Sequence, residues 1–81
     1  MEYEIYLPTT DDWHGNFEGN RMCLSLVDRE GEWCIHASGT DDFALEREFS
    51  SFEIALSFFR GLSKRETMTQ KHLLDVGFQY A

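Results

Sequence analysis

The side chains best equipped for chemistry in this sequence are Cys34 and His36, which stand two residues apart. On a strand that spacing puts both on one face, where a thiol and an imidazole can approach each other or share a metal. A nucleophilic pair also needs hydrogen-bond reach and a third group to orient the base, with donors aimed at a developing oxyanion. No loop with that signature is legible. A structural metal site needs four ligands at tight spacing, and His14 and His72 are distant from this pair along the chain. The expectation is a buried thiol beside a strand histidine, with no metal.

The carboxylates give a similar answer. Asp11-Asp12 and Asp41-Asp42 are adjacent pairs, but neighbours on a strand point to opposite faces, and acids in a turn cap or solvate it. Neither segment has the alternating acids, sixth-position glycine and terminal Glu of an EF-hand. Glycosidase use of two carboxylates needs a sugar cleft that a chain this short can hardly enclose. Gly15 and Gly19 precede strand-like sequence rather than a helix, so they do not form a phosphate cradle. No catalytic residue, cofactor or nucleotide is expected.

What remains is a surface on which acids stand beside aromatics. Aromatic rings supply the area that dominates a protein contact, and a field of one sign speeds encounter with a basic partner. The candidate partner-binding residues are Asp28, Glu30, Glu32, Asp41, Asp42, Glu46 and Glu48, with Trp13 and Phe17 as anchors.

The charge balance agrees. Fifteen acidic residues against seven basic ones give a formal charge of −8 over 81 residues, which disfavours direct contact with nucleic acid. Residues 1 to 56 carry thirteen acids and three bases, whereas residues 57 to 81 carry two acids and four bases. The opening Met1-Glu2-Tyr3-Glu4-Ile5-Tyr6-Leu7 is alternating and acidic, unlike a signal peptide, and no apolar run approaches the roughly 20 residues that cross a bilayer. Two cysteines without C-x-x-C spacing point to reduced thiols. A cytoplasmic protein is expected.

The elements that position these residues follow from period and punctuation. Tyr3, Ile5 and Leu7 alternate with Glu2, Glu4 and Tyr6, so residues 2 to 7 read as a strand ended by Pro8. Residues 21 to 27 and 32 to 38 flank Asp28-Arg29-Glu30-Gly31, which fits a type I turn followed by a G1 bulge at Gly31. That register sets Asp28 opposite Glu32, Leu26 opposite Cys34, Leu24 opposite His36 and Cys23 opposite Ala37. The two cysteines then lie on opposite faces. A fourth strand alternates Phe43, Leu45, Arg47 and Phe49 with Ala44, Glu46 and Glu48.

Ser50-Ser51-Phe52-Glu53 matches a capping box at Ser50, with Phe49 and Ile54 as the accompanying apolar staple. At about 100° per residue Phe52, Ala55, Leu56, Phe59 and Leu62 share one stripe of the helix that follows. Ile54 and Phe58 widen it, so the C-terminal segment or a partner must cover that shoulder. Thr69 caps a short helix over residues 70 to 76, Met68 and Leu73 form its staple, Gly77 stops it, and residues 78 to 81 fold back as an edge strand. The fold class is α+β, a single domain over residues 1 to 81. It is a two-layer sandwich in which an antiparallel sheet of about four strands packs on one main helix and a short C-terminal helix.

In size and charge the chain resembles the anti-CRISPR proteins, small phage-encoded inhibitors of nucleic-acid-guided defence. The resemblance implies a stoichiometric blocker of the basic surface with which an effector or nuclease subunit holds phosphates. The alternative is a bacterial immunity protein or antitoxin that neutralises a toxic nuclease by the same electrostatics. A small thiol or metal-dependent enzyme stands third.

Overall fold

The computed structural model describes residues 3–11, 21–39 and 44–81. Its elements run β1 (Tyr3–Pro8), β2 (Arg21–Arg29), β3 (Glu32–Ser38), β4 (Ala44–Phe49), α1 (Phe52–Ser63), α2 (Gln70–Asp75) and β5 (Gln79–Tyr80). The strands form one antiparallel sheet in the order β1-β2-β3-β4-β5. Both helices lie on one face of it. The architecture is the α+β two-layer sandwich expected, with the C-terminal residues adding a fifth, two-residue strand.

Alternation decides which side chains meet the helices. Leu7 from β1, Met22, Leu24 and Leu26 from β2, Ile35 and Ala37 from β3, and Leu45 and Phe49 from β4 are buried. They pack with Ala55, Phe59 and Leu62 of α1, and with Met68, Leu73 and Phe78 of the C-terminal segment, in one core. Tyr3 and Trp33 close its margin against Phe52, with ring centroids 6.0 and 4.7 Å away.

The β2–β3 register differs from the sequence expectation by one residue. Arg29 pairs with Glu32, Asp28 with Trp33, Leu26 with Ile35, Leu24 with Ala37 and Cys23 with Ser38. The loop is the two residues Glu30 and Gly31, both at positive φ, 53° and 87°, the signature of a type I′ turn. Glu30 tolerates the left-handed conformation because the turn's twist matches that of the strands, and because this register sets apolar residues against apolar ones. Residues directly opposite share a face, so a slip of one exchanges core for solvent. Cys23 and Cys34 consequently share the outer face; they remain apart because Cys34 stands opposite Val27, four residues along the strand from Cys23.

The start of α1 is also displaced by one. Ser51, not Ser50, is the N-cap, and its Oγ accepts from the Ile54 N–H at 3.2 Å. Ala55 therefore occupies the fourth helical position, and Ile54 is 55% exposed instead of completing a staple. Phe58, the other residue of the widened stripe, is covered. Its ring lies 5.4 Å from Phe49 and 6.2 Å from Phe78, with the Arg47 guanidinium 4.7 Å from its centroid.

The second helix follows the sequence closely. Thr69 accepts from the His72 N–H at 3.1 Å, and Met68 and Leu73 are both fully buried. Gly77 has φ 94°; Phe78 N–H donates to the Leu73 carbonyl at 3.0 Å and Gly77 N–H to that of Leu74 at 3.3 Å, the two bonds of a Schellman stop. Long-range bonds fix this segment. The Gln70 N–H donates to Asp11 Oδ2 at 2.8 Å, Met68 N–H to the Pro8 carbonyl at 2.9 Å and Arg47 Nη1 to the Val76 carbonyl at 3.1 Å.

Candidate functional site

With the helices on one face, no described helix or strand covers the other face of the sheet, which carries most of the described residues singled out for recognition. Its cross-strand rows follow from the register. Tyr6 stands opposite Cys23, Ser25 opposite Glu4 and His36, Val27 opposite Cys34, and Glu46 and Glu48 opposite His36 and Cys34.

A charged network crosses the middle of this face. Arg29 forks onto Glu46, with Nη2 2.6 Å from Oε1 and Nη1 2.9 Å from Oε2, and His36 Nδ1 is 3.0 Å from the same Oε1. The Arg29 hydrogen bonds, then that from His36, hold the Glu46 carboxyl below its ordinary range. Arg29 is opposite Glu32 by backbone pairing yet reaches Glu46 near the row of His36, passing over the strand that holds Cys34. Cys34 is only 1% exposed, although it lies on the side of the sheet away from the helices.

That arrangement bears on the Cys34–His36 chemistry considered from sequence. Burial, followed by the charge of Glu46, pushes the Cys34 thiol up and so favours the protonated, weakly nucleophilic form. The imidazole is oriented toward Glu46, and the hydrogen bonds of the face include none between His36 and Cys34. No group of three or more His, Cys, Asp or Glu with metal-binding geometry occurs among the described residues. Cys23, half-buried, has its Sγ 3.9 Å from Ser25 Oγ.

The candidate acids separate into three kinds. Glu46 is neutralised within the chain. Asp28 is exposed, but its Oδ1 accepts from the Gly31 N–H at 3.1 Å and so braces the turn. Glu30, Glu32 and Glu48 are exposed and have no ion-pair partner among the described residues. Glu32 and Glu48 line one open cleft of about 410 Å³ with Phe49 and Ser50. Glu48 also borders a second, of similar volume, lined by Arg47, Gly77, Gln79, Tyr80 and Ala81. Trp13, Phe17, Asp41 and Asp42 lie outside the described residues.

The opposite side of the molecule has the other sign. Arg60 and Lys64 on the solvent face of α1 flank a cleft of about 420 Å³ with Glu53, Leu56, Ser57 and Gly61. Sequence reasoning missed the Arg29–Glu46–His36 network because it depends on the hairpin register. The usable signal was parity: only an odd-sum pairing sets Leu24 and Leu26 against Ala37 and Ile35, and that pairing also turns His36 toward Glu46. Among the described residues no helix is long and apolar enough to cross a membrane. No protein-family model matches the chain, and neither a curated protein nor a solved structure matches it.

Proposed function

We propose that this protein acts by binding: the acidic end of its open sheet face occupies the basic, nucleic-acid-binding surface of a cytoplasmic partner protein and blocks it stoichiometrically. The observation that carries this reading is the contrast among the carboxylates. The chain neutralises Glu46 with its own Arg29, with His36 hydrogen-bonded to the same carboxylate, but leaves Glu30, Glu32 and Glu48 exposed and without a cation among the described residues. Unneutralised carboxylates of one sign steer a basic surface and select against acidic ones. The protonated, covered Cys34 thiol supports binding over thiol catalysis.

Blockade of a defence nuclease complex, in the manner of an anti-CRISPR protein, is the form of this activity that fits the chain's size and charge. An immunity protein or antitoxin directed at a toxic nuclease is the second form, supported by the same three carboxylates. The protein immobilised on a resin and exposed to a nuclease-containing lysate separates them: a guided effector supports the first, a single cognate toxin the second. The captured partner is then titrated with wild type and with the Glu30→Lys, Glu32→Lys, Glu48→Lys triple variant at low and high salt. Slower association and weaker binding of the variant, with the difference shrinking as salt rises, is expected. Equal affinity at both salt concentrations would remove the acidic end from the interface.

A further inference from the structure

We infer that the outer edge of β1 pairs antiparallel with the same strand of a second copy, about a two-fold axis at Ile5. The direction of the backbone groups follows from the ladder. Arg29 and Glu32 close a two-residue turn and are therefore a hydrogen-bonded pair. Alternation then turns the odd-numbered residues of β2 toward β3 and the even-numbered ones toward β1, where Leu26, Leu24 and Met22 bond Tyr3, Ile5 and Leu7. The N–H and C=O groups of Glu4 and Tyr6 consequently point away from the sheet. The Pro8 carbonyl, next in this series, does point outward, since it accepts from the Met68 N–H. Among the described residues nothing else bonds this edge.

Three registers bring the outward groups of two such strands together, and the side chains choose between them. Centring on Glu4 sets two carboxylates face to face, which is destabilising. Centring on Tyr6 sets Glu4 against Pro8, which has no N–H to give. Centring on Ile5 sets Glu4 opposite the Tyr6 of the second copy twice over, and each backbone group at those residues gains a partner. The same carboxylate and phenol already bond within one strand, Tyr6 Oη donating to Glu4 Oε1 at 3.2 Å, with Tyr6 58% exposed. On the helix side this register places Ile5 against Ile5 and Tyr3 against Leu7, extending the apolar row where Tyr3 and Ile5 are only half-buried. The edge carries no lysine or inward charge; its proline stands at the end of the strand, and its Glu4 is the residue this register sets opposite a tyrosine. The contact is isologous, so it closes as a dimer.

Sedimentation equilibrium over a wide concentration range tests this. Wild type should pass from the mass of one chain, 9.5 kDa, to that of two. High salt should favour the dimer, because it screens repulsion between two copies of charge −8; the partner contact proposed above responds to salt in the opposite direction. Tyr6→Pro deletes an N–H that faces away from β2, together with the phenol, and should weaken association by about tenfold or more while leaving the circular dichroism spectrum unchanged. Tyr6→Glu keeps that N–H and sets carboxylate against carboxylate, so it should weaken association even where the proline variant fails to fold. Tyr6→Lys, opposite Glu4, should retain or tighten the dimer. A single-chain mass at every concentration in high salt would overturn the inference. So would a dimer indifferent to Tyr6→Glu, or one that Tyr6→Lys disrupts.

Discussion

Glu46 and Arg47 are adjacent on β4 and point to opposite faces of the sheet, and each finds a different kind of partner. Arg47 lies among the helices, its guanidinium 4.8 Å from the Phe49 ring and 4.7 Å from that of Phe58, donating to the carbonyl of Val76, the residue that caps α2. Glu46 lies on the open face, gripped by an exposed arginine and a histidine. One charge is used as packing material that ties α2 to the sheet. The other orders a polar surface that contributes little apolar burial. The difference teaches that apolar stabilisation resides on the helix side, which leaves the other face to the recognition proposed for it, and it can be tested by substituting neighbours on the same strand.

The largest effect is expected at Leu24 and Ser25. Leu24 is fully buried beneath the helices, so Leu24→Ala should cost about 3 kcal/mol from lost transfer energy and the cavity left behind. Ser25 is on the open face, and Ser25→Ala should stay within about 0.5 kcal/mol. Urea midpoints at equal slope measure both. Comparable losses at the two positions would mean that the open face is covered in the free protein.

Arg47→Ala should come next, at about 1–2 kcal/mol, because it removes the cation–π contacts and packing stem and leaves the Val76 carbonyl without its donor. The loss should shrink in a Phe58→Ala background, since part of it is shared between those two side chains. Additive losses in that double-mutant cycle would show that Arg47 acts through Phe49 and its hydrogen bond and not through Phe58.

The layers, the succession of elements and the C-terminal helix were legible because the local signals there are redundant. At α2, Thr69, the Met68–Leu73 staple and Gly77 each specify the same boundaries, and the structure keeps all three. Alternation along residues 44 to 49 likewise placed Arg47 with the helices and Glu46 and Glu48 outside. Where two local solutions compete, the sequence is ambiguous. Ser50 and Ser51 are both good caps, and the choice of Ser51 is made by which helical residues must face the sheet: Ala55, Phe59 and Leu62. Asp28-Arg29-Glu30-Gly31 supports either a bulged or a two-residue turn, and the cost of a left-handed Glu30 is offset by matching Leu24 and Leu26 to Ala37 and Ile35. Of the recognition residues, the acids at Glu30, Glu32 and Glu48 were legible as exposed, whereas the internal neutralisation of Glu46 was not, because it is a consequence of that register.

The smallest effects are in the response to acid, and there the two faces act in separate pH windows. Burial, then the charge of Arg65, holds His72 on the helix side below its ordinary value of 6.5, while Asp75 acts the other way. The unfolded chain therefore binds a proton before the folded one does, so stability declines as pH falls from about 6.5. On the open face Arg29, then His36, holds Glu46 below its ordinary value of 4.5. Its contribution is fully present above 4.5 and is lost as pH falls through the lowered folded value. Urea midpoints followed from neutral pH downward should therefore show two successive declines. His72→Gln should flatten the upper one and leave the lower. Glu46→Gln should reduce the slope below 4.5 and leave the upper decline intact, with the Leu24 core unaffected. An unchanged slope below 4.5 in Glu46→Gln would mean that the Arg29–Glu46–His36 network stabilises nothing in solution. The open face would then be a purely solvated surface, and Glu46 would be as free to meet a basic partner as Glu48.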